Sequence, residues 1–179
     1  REFTNLQGTM GGIYAREEKQ PEAVWKAIYY HYLPTAVEAD APPTRARLGA
    51  GAAAWAAVSI ADKLDTLVGL FAAGERPTGS RDPFGLRRQA HGLFKVLVDL
   101  PELTELSARP TIGMLVDAAA GAFGSGPTPL DEAGRTTLYS FLAERLAYVL
   151  EQRGFDVRNV RAVLAGRPLA AISPLEAKR

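Results

Sequence analysis

An all-α fold is what this 179-residue sequence predicts. Three observations carry that reading. Apolar residues recur at three-and-four spacing over several stretches longer than ten residues, Gly and Pro punctuate those stretches at their ends, and no run alternates with the period of two that a half-buried strand requires. With 47% hydrophobic residues the chain can bury a real core, as one domain or as a domain with a small appendage.

Glu2 to Gly12 mixes apolar residues with Gly8, Gly11 and Gly12. Each glycine lets backbones approach closely but weakens a helix by roughly 1 kcal/mol, so this segment needs tertiary packing to be ordered. From Pro21 a helix runs over Glu22 to Leu33, with Val24, Trp25, Ile28 and Tyr32 as its apolar register, and Pro34 ends it. Thr35 to Arg47, with Pro42, Pro43 and scattered acids, reads as a loop.

The stretch around which the chain is organised follows. A helix from about Ala53 to Gly74 is apolar nearly all round and therefore belongs at the centre of the domain. Asp62, Asp65, Thr66 and Gly69 share one of its faces, and acids so placed must be paired, hydrogen-bonded, metal-bound or turned to a cleft. Gly74 stops the helix, Pro77 and Thr78 to Ser80 make a turn, and Asp82 with Pro83 stands as N-cap and first position of the next helix. That helix extends from Pro83 to about Asp99 on a core stripe of Leu86, Leu93, Phe94 and Leu97, and Pro101 breaks it.

A weaker segment, Leu103 to Leu106, leads past Pro110 to a short helix over Ile112 to Ala122. Residues 124–129, GSGPTP, form the best linker signal, and the internal boundary is placed there: residues 1–123 as a helical domain, residues 130–179 as a helical appendage. Asp131 to Arg153 is a long amphipathic helix carrying Leu138, Phe141, Leu142, Leu146, Val149 and Leu150. Gly154 caps it, Asp156 starts another helix to Ala165, and Ser173 with Pro174 looks like the capped start of one more. With no initiator methionine and a helix beginning so near the last residue, the sequence reads as a fragment of a longer chain.

Composition excludes several classes of chemistry. Without cysteine there is no disulfide framework, thiolate metal site or thiol nucleophile. No uninterrupted apolar run reaches the roughly 18 residues of a membrane span; the nearest, Ala52 to Ala61, is closed by Asp62, Lys63 and Asp65. There is no Gly-x-Ser-x-Gly elbow and no dinucleotide fingerprint. Gly74, Gly79 and Ser80 have the glycine spacing of a phosphate-binding loop but lack its lysine and follow no strand.

What remains is electrostatic. Arg76, Arg81, Arg87 and Arg88 crowd the turn against only Glu75 and Asp82, on a chain of net charge +1, beside the backbone N–H groups of a helix start. Such a place suits a phosphate. A capped helix with solvated or paired arginines is the plainer alternative. Arg153, Arg158, Arg161 and Arg167 form a second, weaker basic group.

The strings ADKLDTLVG (61–69) and PTGSRDPFGLRR (77–88), with EFTNLQGTMG (2–11) and HYLP (31–34) before them, resemble the β subunit of bacterial glycyl-tRNA synthetases in order and spacing. FLAERL (141–146), Gly154 with Phe155, and VRAVL (160–164) extend the resemblance over essentially the whole chain. It implies an HD-domain-like helical bundle and a cytoplasmic, non-catalytic module. The implied partners are the transfer RNA for glycine, the rest of β and a catalytic α subunit that uses ATP, with neither DNA nor membrane. By that likeness the four arginines of the turn are candidates for RNA phosphate or sugar contacts. Asp62 falls where the HD superfamily has its last aspartate ligand and His31 where a histidine ligand can lie, but the His-Asp doublet is absent, since neither His31 nor His91 precedes an aspartate. Two such residues do not assemble a metal site, so no cofactor and no catalytic residue is expected, and His31 reads first as a hydrogen-bonded packing residue. A residual metal-dependent phosphohydrolase is the alternative activity, and a structural spacer the third outcome.

Overall fold

A computed structural model describes residues 6–123 and 130–178. The expected linker at 124–129 lies outside the described residues, as do Glu2 to Asn5 of the first motif and Arg179. Among the described residues there are helices and no strand, in agreement with the all-α expectation.

Helix α4 (Ala52–Ala72) is the axis of the molecule, and the longer helices that pack against it include α2 (Glu22–Tyr30), α5 (Leu86–Val98), α7 (Ile112–Ala122) and α8 (Glu132–Gln152). Its alanines cost little entropy to order, and its larger side chains fill the core. Leu64, Leu67, Val68 and Phe71 meet Leu93, Phe94 and Leu97 of α5, Val116 of α7, and Leu138, Leu142, Leu146 and Val149 of α8 in one hydrophobic cluster. Helices on the two sides of 124–129 thus share a core. A smaller cluster gathers Trp55 and Ala56 of α4, Val96, Leu100 and Leu103 around Leu48 of the short α3 (Arg45–Leu48), a turn of helix inside the segment expected to be loop.

The helix starts follow local chemistry. Thr111 accepts a hydrogen bond from Met114 N (3.2 Å), Asp131 from Gly134 N (2.6 Å) and Asp156 from Arg158 N (2.8 Å), capping α7, α8 and α9 (Val157–Ala165). Helix α1 (Thr9–Glu17) docks on α2 through glycine: a Cβ on Gly12 would stand 2.4 Å from Tyr29 Cβ, so only the missing side chain permits this approach.

Three expectations are corrected. Helix α5 starts at Leu86 rather than Pro83, because the Asp82 carboxylate reaches forward to the N–H groups of Leu86 (2.8 Å) and Arg87 (2.9 Å) while Gly85 sits in the left-handed region (φ 66°). Its far end is as expected, at Val98 before Pro101, and Pro101 sits in the first turn of a further short helix, α6 (Leu100–Thr104), where a proline is tolerated. Helix α2 ends at Tyr30, short of Leu33, and its Val24 and Ile28 are exposed rather than core-facing. Ser173 precedes α10 (Pro174–Ala177), but its buried hydroxyl caps nothing and has no hydrogen-bond partner among the described residues.

Polar groups within the core are concentrated at Asp99, where α5 ends. Lys95 Nζ lies 3.2 Å from its carboxylate, Arg153 donates to both carboxylate oxygens, and Lys178 approaches to 3.7 Å. Lys95 also donates to Ala39 O (3.2 Å) and Arg153 to Val37 O, so the loop before α3 is stitched to α5 and to the end of α8. Burial opposes the Asp99 charge, but the Arg153 hydrogen bonds and the Lys95 charge outweigh it and hold the carboxyl below its ordinary range.

Removing that carboxylate strands two buried cations, so Asp99→Asn is expected to destabilise the fold by about 3–5 kcal/mol in urea unfolding. A depressed folded value means the stabilisation is present above the unfolded pKa, near 4, and is lost as pH falls through the folded one. Wild-type stability should therefore drop on acidification below about pH 4, with a smaller drop in the variant.

Candidate functional site

The turn between α4 and α5 is closed by its own backbone: Thr78 N donates to Arg81 O (3.0 Å) and Arg81 N to Thr78 O (2.8 Å), with Gly79 at φ 50° between them. Arg87 donates to Gly79 O (2.6 Å), clamping the turn to the first turn of α5. The helix-start N–H groups that made this place attractive for a phosphate are partly spent, because Asp82 takes those of Leu86 and Arg87. What the turn presents outward is guanidinium. Arg76, Arg81 and Arg88 are exposed and make no ion pair among the described residues.

Arg88 points away from the turn. Its guanidinium carbon lies 5.8 Å from the Tyr32 ring centre, in a cation–π contact, and it passes over Gly85, where a Cβ would stand 2.9 Å from Arg88 Nη2. Arg88 and Tyr32 are on the wall of a groove of about 750 Å³ lined also by Asp62, Thr66, Tyr29 and Phe84. The acidic face read from the sequence is divided by this groove. Asp62 and Thr66 line it, Asp65 is exposed to solvent outside it, and Gly69 lies under the Phe123 ring. His31 does not line it; its Nδ1 is engaged with Ile28 O at 2.7 Å. Among the described residues no cluster of three or more His, Asp or Glu side chains has metal-binding geometry.

Lys63 escaped the sequence reading, which took it as a polar interruption of the central helix. It is 1% exposed, and its ammonium donates to Ser59 Oγ (2.9 Å) and His31 O (3.0 Å), with Tyr32 O at 3.4 Å and Leu33 O at 3.5 Å. The carbonyls of His31 and Tyr32 where α2 ends are thereby satisfied, Leu33 O is shared with Ser59 Oγ, which donates to it at 2.9 Å, and Tyr32 and Leu33 are held at the groove. Burial pushes Lys63 down to about 8, against the opposing charge of Asp62. Gly92 makes room for it: a Cβ there would meet Lys63 Cε at 2.7 Å.

A second basic-aromatic face was also missed. His91 of α5 stacks on Tyr148 of α8 (4.8 Å), and burial, then Arg145 and Arg87, lower its affinity for a proton. The signal was present, since Arg87 and His91 are one helical turn apart, but Arg145 and Tyr148 join them only through the packing of α8 on α5. The second arginine group does not come together as a surface. Arg153 is buried on Asp99 and Arg158 is paired with Asp156, leaving Arg161 and Arg167 exposed.

The protein-family model described as glycyl-tRNA synthetase beta subunit matches residues 1–165. Relatives described as glycine--tRNA ligase beta subunit include those of Leptothrix cholodnii, 42% identical over 93% of this chain and 21% of that protein, and Acidithiobacillus ferrooxidans, 35% identical over 99% of this chain and 23% of that protein. Another, from Aromatoleum aromaticum, is 41% identical over 93% of this chain. The chain spans about a fifth of the length of the relatives it matches.

Because Lys63 titrates lower in the folded chain than its ordinary 10.5, the unfolded chain binds more protons between about pH 8 and 10.5 and stability should rise with pH through that window. Lys63→Met should abolish the rise. By leaving the His31 and Tyr32 carbonyls without that donor it should also cost about 1–3 kcal/mol at pH 7, read by thermal unfolding across pH.

Proposed function

Since the chain belongs to the glycyl-tRNA synthetase β-subunit family, we propose that it is a helical, non-catalytic module through which the synthetase holds transfer RNA for glycine and joins its subunits. The observation that carries this reading is the α4–α5 turn, which offers the unpaired guanidiniums of Arg76, Arg81 and Arg88 on a rigid frame, with Arg87 clamping that frame from inside. Guanidiniums so spaced contact phosphate or sugar and position an RNA without reading its sequence. Activation of glycine with ATP belongs, on this reading, to the α subunit, and the remaining surfaces serve contacts with α and with the rest of β.

The measurement is binding of the chain to transfer RNA for glycine across a salt titration. Affinity should fall steeply with salt, and Arg76→Glu/Arg81→Glu, which touches no structural hydrogen bond, should weaken binding at least tenfold and reduce the slope of log K against log salt by about two. No binding at low salt, or an unchanged slope in the double variant, would overturn the assignment.

A further inference from the structure

Beside the arginine turn, the groove between α2, α4 and the start of α5 brings three kinds of chemistry together in one place. It has a cation in Arg88, held over Tyr32 with no carboxylate partner among the described residues. It has an unused aromatic face, since Phe84 lines the groove yet is 47% exposed. And it has an acceptor in Asp62, half-buried on the groove wall, whose carboxylate makes no hydrogen bond or ion pair among the described residues, although Lys63 Nζ lies buried one residue along. Thr66 is turned to the Asp62 backbone carbonyl (3.0 Å) and so leaves that carboxylate free.

A groove of about 750 Å³ is the size of a small-molecule site and far too narrow for a duplex, so whatever enters it from an RNA must be splayed out of the stack. A nucleotide has a phosphate for a guanidinium, a flat face for a phenyl ring and a polar edge for a directional acceptor. An ionised carboxylate is acceptor-only. It therefore favours a base whose edge carries an amino group, such as cytosine N4, and disfavours uracil, whose single N–H is flanked by two carbonyl oxygens that would face the same negative charge.

We propose that this groove takes one unpaired, amino-bearing nucleotide of an RNA, its base stacked on Phe84, its phosphate on Arg88 and its amino group donating to Asp62. This rests on the RNA-contacting reading above and adds a base preference to it. The arginine turn positions the RNA by charge; the groove discriminates among the bases that are not paired.

The test uses the whole chain and 5′-labelled RNA hexamers, read by fluorescence anisotropy at low salt. Oligo(C) should bind about fivefold or more tighter than oligo(U), and a blunt duplex of the same length should show no such dependence on composition. Asp62→Asn should erase the difference between C and U while retaining binding, and Phe84→Ala, at an exposed position, should weaken oligo(C) about tenfold. Arg76→Glu/Arg81→Glu should weaken both hexamers equally and keep their ratio. Equal binding of oligo(C) and oligo(U), or a ratio that survives in Asp62→Asn, would overturn the groove assignment even where transfer RNA still binds with a steep salt slope. Cytidine monophosphate competing as strongly as oligo(C) would overturn it in another way, making the groove a site for free nucleotides. Loss of transfer-RNA binding with the C-over-U preference intact would instead overturn the turn assignment and leave the groove standing.

Discussion

Everything in this molecule is registered from the two ends of α5, and the end that fixes it is buried. Asp99 closes α5 among Lys95, Arg153 and Lys178, three cations from three separate parts of the chain. Buried charges are tolerated only when paired and hydrogen-bonded, and here the surplus positive charge is met by backbone carbonyls, Val37 O for Arg153, Ala39 O for Lys95 and Val98 O for Lys178, and by the Glu102 carboxylate on Lys178. This costs more desolvation than an apolar plug would. What it provides is direction, since a carboxylate with two filled oxygens accepts one rotation of α5 against α8, whereas a leucine stripe tolerates slippage. With α5 fixed at Asp99, its first turn places Arg87 toward the turn and α8, and Arg88 toward α2.

Lys63 does the equivalent service for α2. A helix end needs partners for its last carbonyls, and those of His31, Tyr32 and Leu33 find theirs in an ammonium and a hydroxyl, Lys63 and Ser59, that reach from the axis of the fold. The walls of the groove are thus set by two buried lysines and an arginine, none of which touches solvent appreciably. The exposed arginines work on a frame held by cations that never reach a ligand.

Much of the fold was legible because it is written in caps and periodicity. Asp131 and Asp156 announce α8 and α9 within a residue, α7 has the expected bounds, and the stripe Leu86, Leu93, Phe94 and Leu97 is buried as expected. The failures share a cause. Asp82 next to Pro83 satisfies the local rule for an N-cap, yet its carboxylate skips to Leu86 and Arg87 because Gly85 supplies a left-handed residue that no propensity argument anticipates. Val24 and Ile28 have helical register yet stay exposed, Ile28 meeting the glycine face of α1 at Gly11. Lys63 looked like an interruption because charge in an apolar run reads as exposure; its burial depends on three carbonyls thirty residues away, which is tertiary information.

The candidate site divides along the same line. That four arginines crowd one turn is visible in sequence, but their equivalence is not: Arg87 is spent on Gly79 O, Arg88 is diverted to Tyr32, and only Arg76 and Arg81 remain as plain surface cations. Arg153, which belonged to the second basic group by count, is structural by location. Net charge over a segment therefore overstates its electrostatic reach, and the useful quantity is the number of guanidiniums with no protein acceptor. Counted that way, the positive field of the turn is narrower than the sequence indicates, and its inner edge runs into a groove that carries a free carboxylate. A carboxylate set inside a cationic edge repels a second phosphate from the groove while admitting the neutral, amino-bearing edge of a base, which is the physical reason to expect positioning and discrimination from adjacent but separate residues.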